Sequence, residues 1–75
     1  GAVMDVKSSL AGTVTWTAEP GSTLTAGAEI VHVRTLTGEA AAARAEDGCR
    51  VSEALVAVGD DVAVGQIVAR VEKQE

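Results

Sequence analysis

The sequence is almost free of aromatic residues: it has one tryptophan, Trp16, and no phenylalanine or tyrosine. Proteins that hold single-stranded nucleic acids stack the bases on aromatic side chains, and this chain has almost none to offer. Basic residues are also scarce, six against eleven acidic ones, so the formal net charge is −5. A nucleic-acid binder is expected to carry a basic patch. We therefore expect no nucleic-acid partner.

The sequence has one cysteine, Cys49, and one histidine, His32. A single cysteine cannot form an internal disulfide. Neither residue has a partner at the spacing of a zinc site, and the turn at Asp60 and Asp61 supplies too few oxygen ligands for calcium. We expect no metal centre. We also expect no catalytic residues, because no nucleophile–base pair and no paired carboxylates in a cleft are recognisable.

Long apolar runs are missing too, and no segment is long enough to cross a bilayer as a helix. The first residues, GAVMDVK, lack the basic and apolar segments of a signal peptide. We therefore expect no membrane partner and a cytoplasmic protein. Residues 1–75 are expected to form one domain. A domain of this size buries only about 60% of its unfolded surface, so its core must come from regularly spaced valine, leucine, isoleucine and alanine.

An internal repeat is the most informative feature that is present. The segment PGSTLTAGAEIVHV (20–33) is similar to VGDDVAVGQIVARV (58–71), and LAGTV (10–14) is similar to EDGCRV (46–51) with a small change of length. Two copies of one supersecondary unit explain this similarity. Five pairs share one offset of 38 residues: Gly21 and Gly59, Leu24 and Val62, Gly27 and Gly65, Ile30 and Val68, Val33 and Val71.

Each copy is predicted to consist of short strands and turns. The segment GTVTWTA alternates apolar residues with threonines, as a half-buried strand does, and Trp16 is expected to fill a core edge or to cap one end of a barrel. EPGS and VGDD have turn composition. The alanine-rich segment 38–48 favours a helix by propensity. Its position in the repeat makes it the counterpart of the first strand, so we expect it to be a strand.

The order and spacing of these segments resemble the biotinyl/lipoyl carrier domains, which include the biotin carboxyl carrier of carboxylases. The resemblance is carried by VKSSLAGTV (6–14), EPGSTLTAGAEIVHV (19–33), EDGCRV (46–51) and VGDDVAVGQIVARVE (58–72). It covers nearly the whole chain. It implies an all-β fold, a flattened barrel or sandwich of two four-stranded antiparallel sheets related by a pseudo-two-fold axis.

The resemblance also implies where a prosthetic group would be attached. In that family a lysine on the central hairpin lies eleven residues before the glycine of the second G-x-V motif. If that glycine is Gly48, the position is Thr37, flanked by Leu36 and Gly38. Biotin and lipoate are attached through the amine of a lysine, and a threonine hydroxyl is a poor nucleophile without an adjacent base. We therefore expect no biotin or lipoate at this site.

Thr37 also has a simpler interpretation, in which it is a polar turn residue and Gly38 takes the left-handed conformation. The nearest lysines, Lys7 and Lys73, are expected near the chain ends, away from the hairpin. His32 is expected to point outward to solvent, and Cys49 to be a partly exposed, unreactive thiol.

The resemblance favours a non-catalytic carrier-like module that docks or assembles with protein partners, carboxylase subunits among them. Two alternatives remain open. The chain is a genuine biotin or lipoyl carrier with an altered attachment site, or it is the lipoyl-like domain of an efflux adaptor. The second alternative is disfavoured because TLTG (35–38) is too short for the helical hairpin that such adaptors insert at this point.

Overall fold

The computed structural model describes residues 1–74, which form eight strands in two four-stranded sheets and contain no helix. Sheet 1 has the order β1-β8-β6-β3 and sheet 2 has the order β5-β4-β2-β7, and all neighbours are antiparallel. This is the flattened all-β sandwich that the family resemblance implies, and it measures 38 × 19 × 19 Å. The strands are β1 (Val3–Lys7), β2 (Gly12–Thr17), β3 (Thr23–Leu24), β4 (Glu29–Thr35), β5 (Gly38–Arg44), β6 (Cys49–Ala54), β7 (Asp61–Val62) and β8 (Ile67–Lys73).

The two halves of the chain are related by a pseudo-two-fold axis. Strands β1, β8, β6 and β3 of sheet 1 correspond in order to strands β5, β4, β2 and β7 of sheet 2. Each strand of one half therefore has a counterpart four strands away in the other half. The hydrogen bonds that join the halves are paired in the same way: Gly21 N–H donates to Val51 O, and Gly59 N–H donates to Val14 O, both at 2.8 Å. Gly21 and Gly59 have φ values of 93° and 98°, which residues with a Cβ rarely adopt. The predicted duplication is therefore confirmed.

Most of the alanine-rich segment 38–48 is a strand, as its position in the repeat predicts, but the strand ends at Arg44 and residues 45–48 lie outside it. β5 pairs with β4 along its length, and Ala42 O accepts a hydrogen bond of 2.8 Å from Ser9 N–H. Ala42 and Ala43 are buried. Burial against a neighbouring strand overrides the helix propensity of alanine, which is a weak preference that tertiary contacts commonly outweigh.

The core lies between the sheets and is built from β-branched side chains. Burial of one such side chain contributes about 1.5–3 kcal/mol relative to its exposed state. Core residues of the two halves correspond at the offset of 38 residues that the sequence shows. Ile30 and Val68 are one such pair, and both are fully buried. The largest fully buried side chains are Ile30, Val14, Val31, Val33, Val51 and Val68.

Trp16 is not part of this core, and the prediction for it was wrong. Val14 pairs with Val33, and Trp16 pairs with His32, because the register shifts between Val14 and Trp16. A bulge of this kind adds one residue to a strand and reverses the face on which the following side chains lie. Val14 is therefore buried, while Trp16 is 42% exposed on the outer face of sheet 2.

Candidate functional site

The turn between β4 and β5 is the position that the family resemblance identifies. Thr35 pairs with Gly38, so Leu36 and Thr37 alone form the loop at the hairpin tip. Neither loop residue has a positive φ, whereas Gly38 has a φ of 129°. This value lies in the positive region that glycine tolerates, but well beyond the left-handed helical value of about +57°. The expected glycine turn is present with a different geometry.

The hydroxyl group of Thr35 organises the tip. Its Oγ1 donates to Gly38 O at 2.8 Å, accepts from Thr37 N–H at 3.2 Å and lies 3.2 Å from Thr37 Oγ1. These contacts hold both ends of the loop through one side chain. A threonine immediately before a turn commonly bonds the main chain in this way.

Leu36 projects completely into solvent, with a relative exposure of 106%. Beside it lies a shallow hollow at the start of β2 and the end of β4, whose walls include Gly12 and Arg34. A preformed turn that presents one apolar side chain loses little conformational entropy on binding. The tip is therefore suited to insertion into a pocket of another molecule.

Within residues 1–74, no basic side chain hydrogen-bonds the hydroxyl group of Thr37. Among residues 1–74, Thr35 is the side chain that hydrogen-bonds it. The carboxylate of Glu39 lies two residues on, but its Oε2 accepts a 2.8 Å hydrogen bond from Thr15 Oγ1. Without a base, a threonine hydroxyl is a weak nucleophile.

The repeat offers a second way to count to the attachment position. The paired hydrogen bonds align Val51 with Val14, so Cys49 rather than Gly48 is the counterpart of Gly12. Eleven residues before Cys49 is Gly38, whereas the same count from Gly48 gives Thr37. Both positions lie at the hairpin tip, and neither is a lysine.

Lys7 and Lys73 are not near the tip hollow; both line a cleft of about 290 Å³ between β1 and the end of β5. Lys73 Nζ lies 3.8 Å from Asp47 Oδ2. The cleft is also lined by Cys49, which is buried rather than partly exposed as expected. Burial, with a smaller contribution from the negative charge of Asp47, raises the pKa of the Cys49 thiol. The thiol is therefore protonated at neutral pH and unreactive.

A polar cluster on the outer face of sheet 2 was not predicted from the sequence. His32 points outward, as expected, but it is half-buried and makes three contacts. Its ring centroid lies 4.8 Å from that of Trp16, its Nε2 lies 2.7 Å from Glu29 Oε1, and its Nδ1 lies 3.5 Å from Glu39 Oε2. The hydrogen bond with His32, followed by the charges of His32 and Arg44, lowers the pKa of Glu29.

Of the two aspartates expected in the second turn, Asp61 lies in a strand and Asp60 lies just before it. Asp60 Oδ2 accepts a 2.8 Å hydrogen bond from Ala57 N–H. Asp61 instead lies in β7 and accepts a 2.9 Å hydrogen bond from the side chain of Thr13. Within the part of the chain that the structure describes, no cluster of three or more potential metal ligands occurs. In the same part, no helix is long and apolar enough to cross a membrane.

Solved structures that are similar to this chain include one with the same fold over nearly the chain's whole length. It is that of a single-chain, multi-domain long-chain acyl-CoA carboxylase, with 27% sequence identity over 97% of this chain and a TM-score of 0.88. The matched region is 7% of the carboxylase chain, so this chain corresponds in length to a small part of that protein. No protein-family model and no curated protein sequence matches this chain.

Proposed function

We propose that this chain is a carrier-like module of the biotin carboxyl carrier type that works without a prosthetic group. It has no catalytic residues of its own and acts as a docking or assembly component related to biotin-dependent carboxylases. The similarity to part of a long-chain acyl-CoA carboxylase supports the carrier-like assignment. The family resemblance of the sequence supports it independently.

The main support for the proposal is the side chain at the attachment position. It is a hydroxyl group, whereas the attachment of biotin or lipoate requires an amine. Thr37 is the second residue of the two-residue tip loop, and its hydrogen-bonding side-chain neighbour is another hydroxyl, that of Thr35. The lysines of the described residues are Lys7 and Lys73, and both lie at the cleft between β1 and β5. We therefore expect no amide to biotin or lipoate at the tip.

The docking part of the proposal is supported by the shape of the tip. The Thr35 hydroxyl hydrogen-bonds the main chain of Thr37 and Gly38, and Leu36 is completely exposed on the loop. Apolar anchors that enter a partner's pocket commonly dominate the energy of an interface. The expected partner is a protein surface, and a carboxylase subunit is the first candidate.

Intact-mass spectrometry after co-expression with an active biotin ligase, and separately with a lipoate ligase, tests the missing modification. The wild-type protein is expected to keep its unmodified mass. The T37K variant is expected to gain the mass of one biotinyl or lipoyl group, because it restores the amine at the tip. A wild-type protein that gains this mass would refute the proposal.

The matched control is L36K, which places the same amine one residue earlier in the same loop. It is expected to be modified less than T37K. If T37K folds, as shown by an unchanged circular dichroism spectrum, and still remains unmodified, Thr37 is not the counterpart of the family lysine.

A further inference from the structure

The cleft between β1 and the end of β5 lies beside a loop whose counterpart in the other half can be identified. Gly65 N–H donates to Ser8 O at 2.8 Å, and Gly27 N–H donates to Ala45 O at 2.7 Å. Because Gly27 and Gly65 correspond in the repeat, Ser8 corresponds to Ala45. The loop that follows β1 is therefore the counterpart of the loop that follows β5.

The first of these loops, residues 8–11, covers the core on its side of the sandwich. Ser9 N–H and Ser9 Oγ both donate to Ala42 O of β5, at 2.8 and 3.1 Å. The side chain of Leu10 packs against the core. On this side, a hydrogen-bonded strand edge and an inserted leucine therefore close the sandwich.

The second loop, residues 45–48, leaves the equivalent side open. The counterpart of Leu10 is Asp47, which is exposed and whose Oδ2 lies 3.8 Å from Lys73 Nζ. Among residues 1–74, no main-chain hydrogen bond joins this loop to β1. The cleft of about 290 Å³ opens at this point, where the other half has a leucine in contact with the core.

The floor of the cleft is apolar. It includes the core residues Ile30, Cys49 and Val71, together with Met4 and Val6 of β1. A volume of about 300 Å³ is the lower end of the range for small-molecule sites, which are mostly apolar with a few polar groups. An aliphatic chain suits this floor, because its burial is favourable and leaves no polar group without a hydrogen bond.

The rim of the cleft carries lysine ammonium groups with N–H donors to spare. Within residues 1–74, Lys7 belongs to no ion pair, and Lys73 has only the 3.8 Å contact with Asp47. These lysines lie at opposite ends of β1, because Lys7 pairs with Ile67 whereas Lys73 N–H donates to Ala2 O. An anionic group therefore has a free partner in Lys7, at the end of the cleft away from Asp47.

We propose that this cleft binds a medium-chain aliphatic carboxylate. The chain lies over Ile30, Cys49 and Val71, in the place that a leucine covers in the other half, and the carboxylate pairs with the Lys7 ammonium group. Glu46 also lines the cleft, is exposed and belongs to no ion pair within residues 1–74. Its charge opposes the anion and limits the affinity. The site is separate from the hairpin tip and does not depend on the proposed function.

Titration of the isotope-labelled protein with sodium octanoate, followed by two-dimensional NMR, tests the site. The amide signals of Val6, Ala45 and Val71 are expected to shift in a saturable way, whereas that of Leu36 at the hairpin tip is expected to stay in place. Each methylene group added between hexanoate and octanoate is expected to tighten the Kd by about three- to fourfold. The absence of saturable shifts at the cleft signals would overturn the proposal.

Variants of Asp47 test the position of the aliphatic chain. D47L places a leucine at the counterpart of Leu10, so it is expected to fill the cleft and to weaken octanoate binding by about tenfold or more. D47N is the matched control, because it removes the same charge but leaves the space open, and it is expected to retain binding. Circular dichroism checks the fold of both variants. Equal octanoate affinities of folded D47L and D47N would contradict the proposal.

Variants of the charged lining residues test the recognition of the carboxylate. K7Q is expected to weaken octanoate binding by about two- to fivefold and E46Q to tighten it by a similar factor, the range of an exposed ion pair. R34Q and E19Q remove exposed charges outside the cleft and are expected to leave the Kd unchanged.

Two further ligands separate the charge of the head group from the apolar chain. Octanol has the same chain without a charge and is expected to bind wild type and K7Q equally. Octylamine, with the opposite charge, is expected to bind wild type more weakly than octanoate does. Tighter binding of octylamine, or an equal loss of octanol and octanoate affinity in K7Q, would overturn the assignment of Lys7. None of these measurements uses a ligase, so their failure is distinct from a failure of the proposed function.

Discussion

The main chain of Gly12 lies directly against the main chain of Arg34. A methyl group on Gly12 would clash with the carbonyl oxygen of Arg34 and would lie 3.1 Å from its carbonyl carbon and 3.2 Å from Val33 Cβ. Backbone cannot move aside as the end of a flexible side chain can. The beginning of β2 therefore requires a glycine, and the position of this contact is next to the hairpin tip.

The first prediction concerns this contact. Gly12→Ala is expected to lower the free energy of unfolding by about 1–3 kcal/mol, the usual cost of forcing an extra group into a packed site. Urea denaturation followed by circular dichroism measures it. Gly48→Ala is the matched control, because a methyl group there would lie no closer than 3.9 Å to its neighbours. Equal losses in the two variants would contradict the packing argument.

The second prediction compares two large aliphatic residues with opposite environments. Ile30 is fully buried, whereas Leu36 is fully exposed. Ile30→Ala is expected to cost about 2–5 kcal/mol, because it removes core contacts and leaves a cavity. Leu36→Ala is expected to change stability by less than about 0.5 kcal/mol, as surface substitutions usually do. Denaturant unfolding of both variants checks this, and a large loss for Leu36→Ala would show that the side chain packs against the protein.

The third prediction concerns the hydroxyl that organises the tip. Thr35→Val keeps the shape of the side chain and removes its hydrogen bonds, so it is expected to cost about 0.5–1.5 kcal/mol. The amide of Thr37, which donates to this hydroxyl, is expected to exchange with solvent faster in the variant, as measured by NMR. Thr23→Val, an exposed strand position, serves as the control. Unchanged exchange at Thr37 would argue against a role for Thr35 in ordering the loop.

The fourth prediction concerns stability in acid. Because the pKa of Glu29 is held below its ordinary value of 4.5, the folded protein binds this proton more weakly than the unfolded chain does. Its ion pairs therefore stabilise the protein above pH 4.5, and this contribution disappears as the pH falls through the lowered pKa. The difference in unfolding free energy between wild type and E29Q is expected to shrink between about pH 6 and about pH 3.

Glu46→Gln is the control for that experiment, because Glu46 is exposed and belongs to no ion pair within residues 1–74. It removes one exposed negative charge without removing an ion pair within the described residues. A difference for E29Q that is independent of pH would contradict the assignment of its contacts with His32 and Arg44.

Much of the architecture could be predicted from the repeat. The shared offset of 38 residues places Ile30 and Val68 at equivalent core positions, and the structure confirms this. The repeat also predicted a strand in segment 38–48, where local propensity alone would have given a helix, and β5 covers Gly38–Arg44 of that segment. In a duplicated unit, the secondary structure of one copy indicates that of the other. This indication is stronger than the preference of individual alanines for a helix.

The details that the sequence did not reveal depend on register. Nothing in the alternation of GTVTWTA indicates the bulge that moves Trp16 to the outer face. The same is true of the cluster around His32, because its contacts join three neighbouring strands. The burial of Cys49 could have been foreseen, since Cys49 and Val51 lie on one face of β6. The absence of a modification at Thr37 stays a prediction.

The pairing of β1 with β8 has a consequence for the connectivity of the chain. It is the pseudo-symmetric counterpart of the β4–β5 hairpin, and Lys73 N–H donates to Ala2 O at 3.1 Å. A short covalent linker could therefore join the two termini, and a new opening could be made between Leu36 and Thr37. Such a circular permutant would preserve every strand pairing while exchanging the roles of the tip and the chain ends.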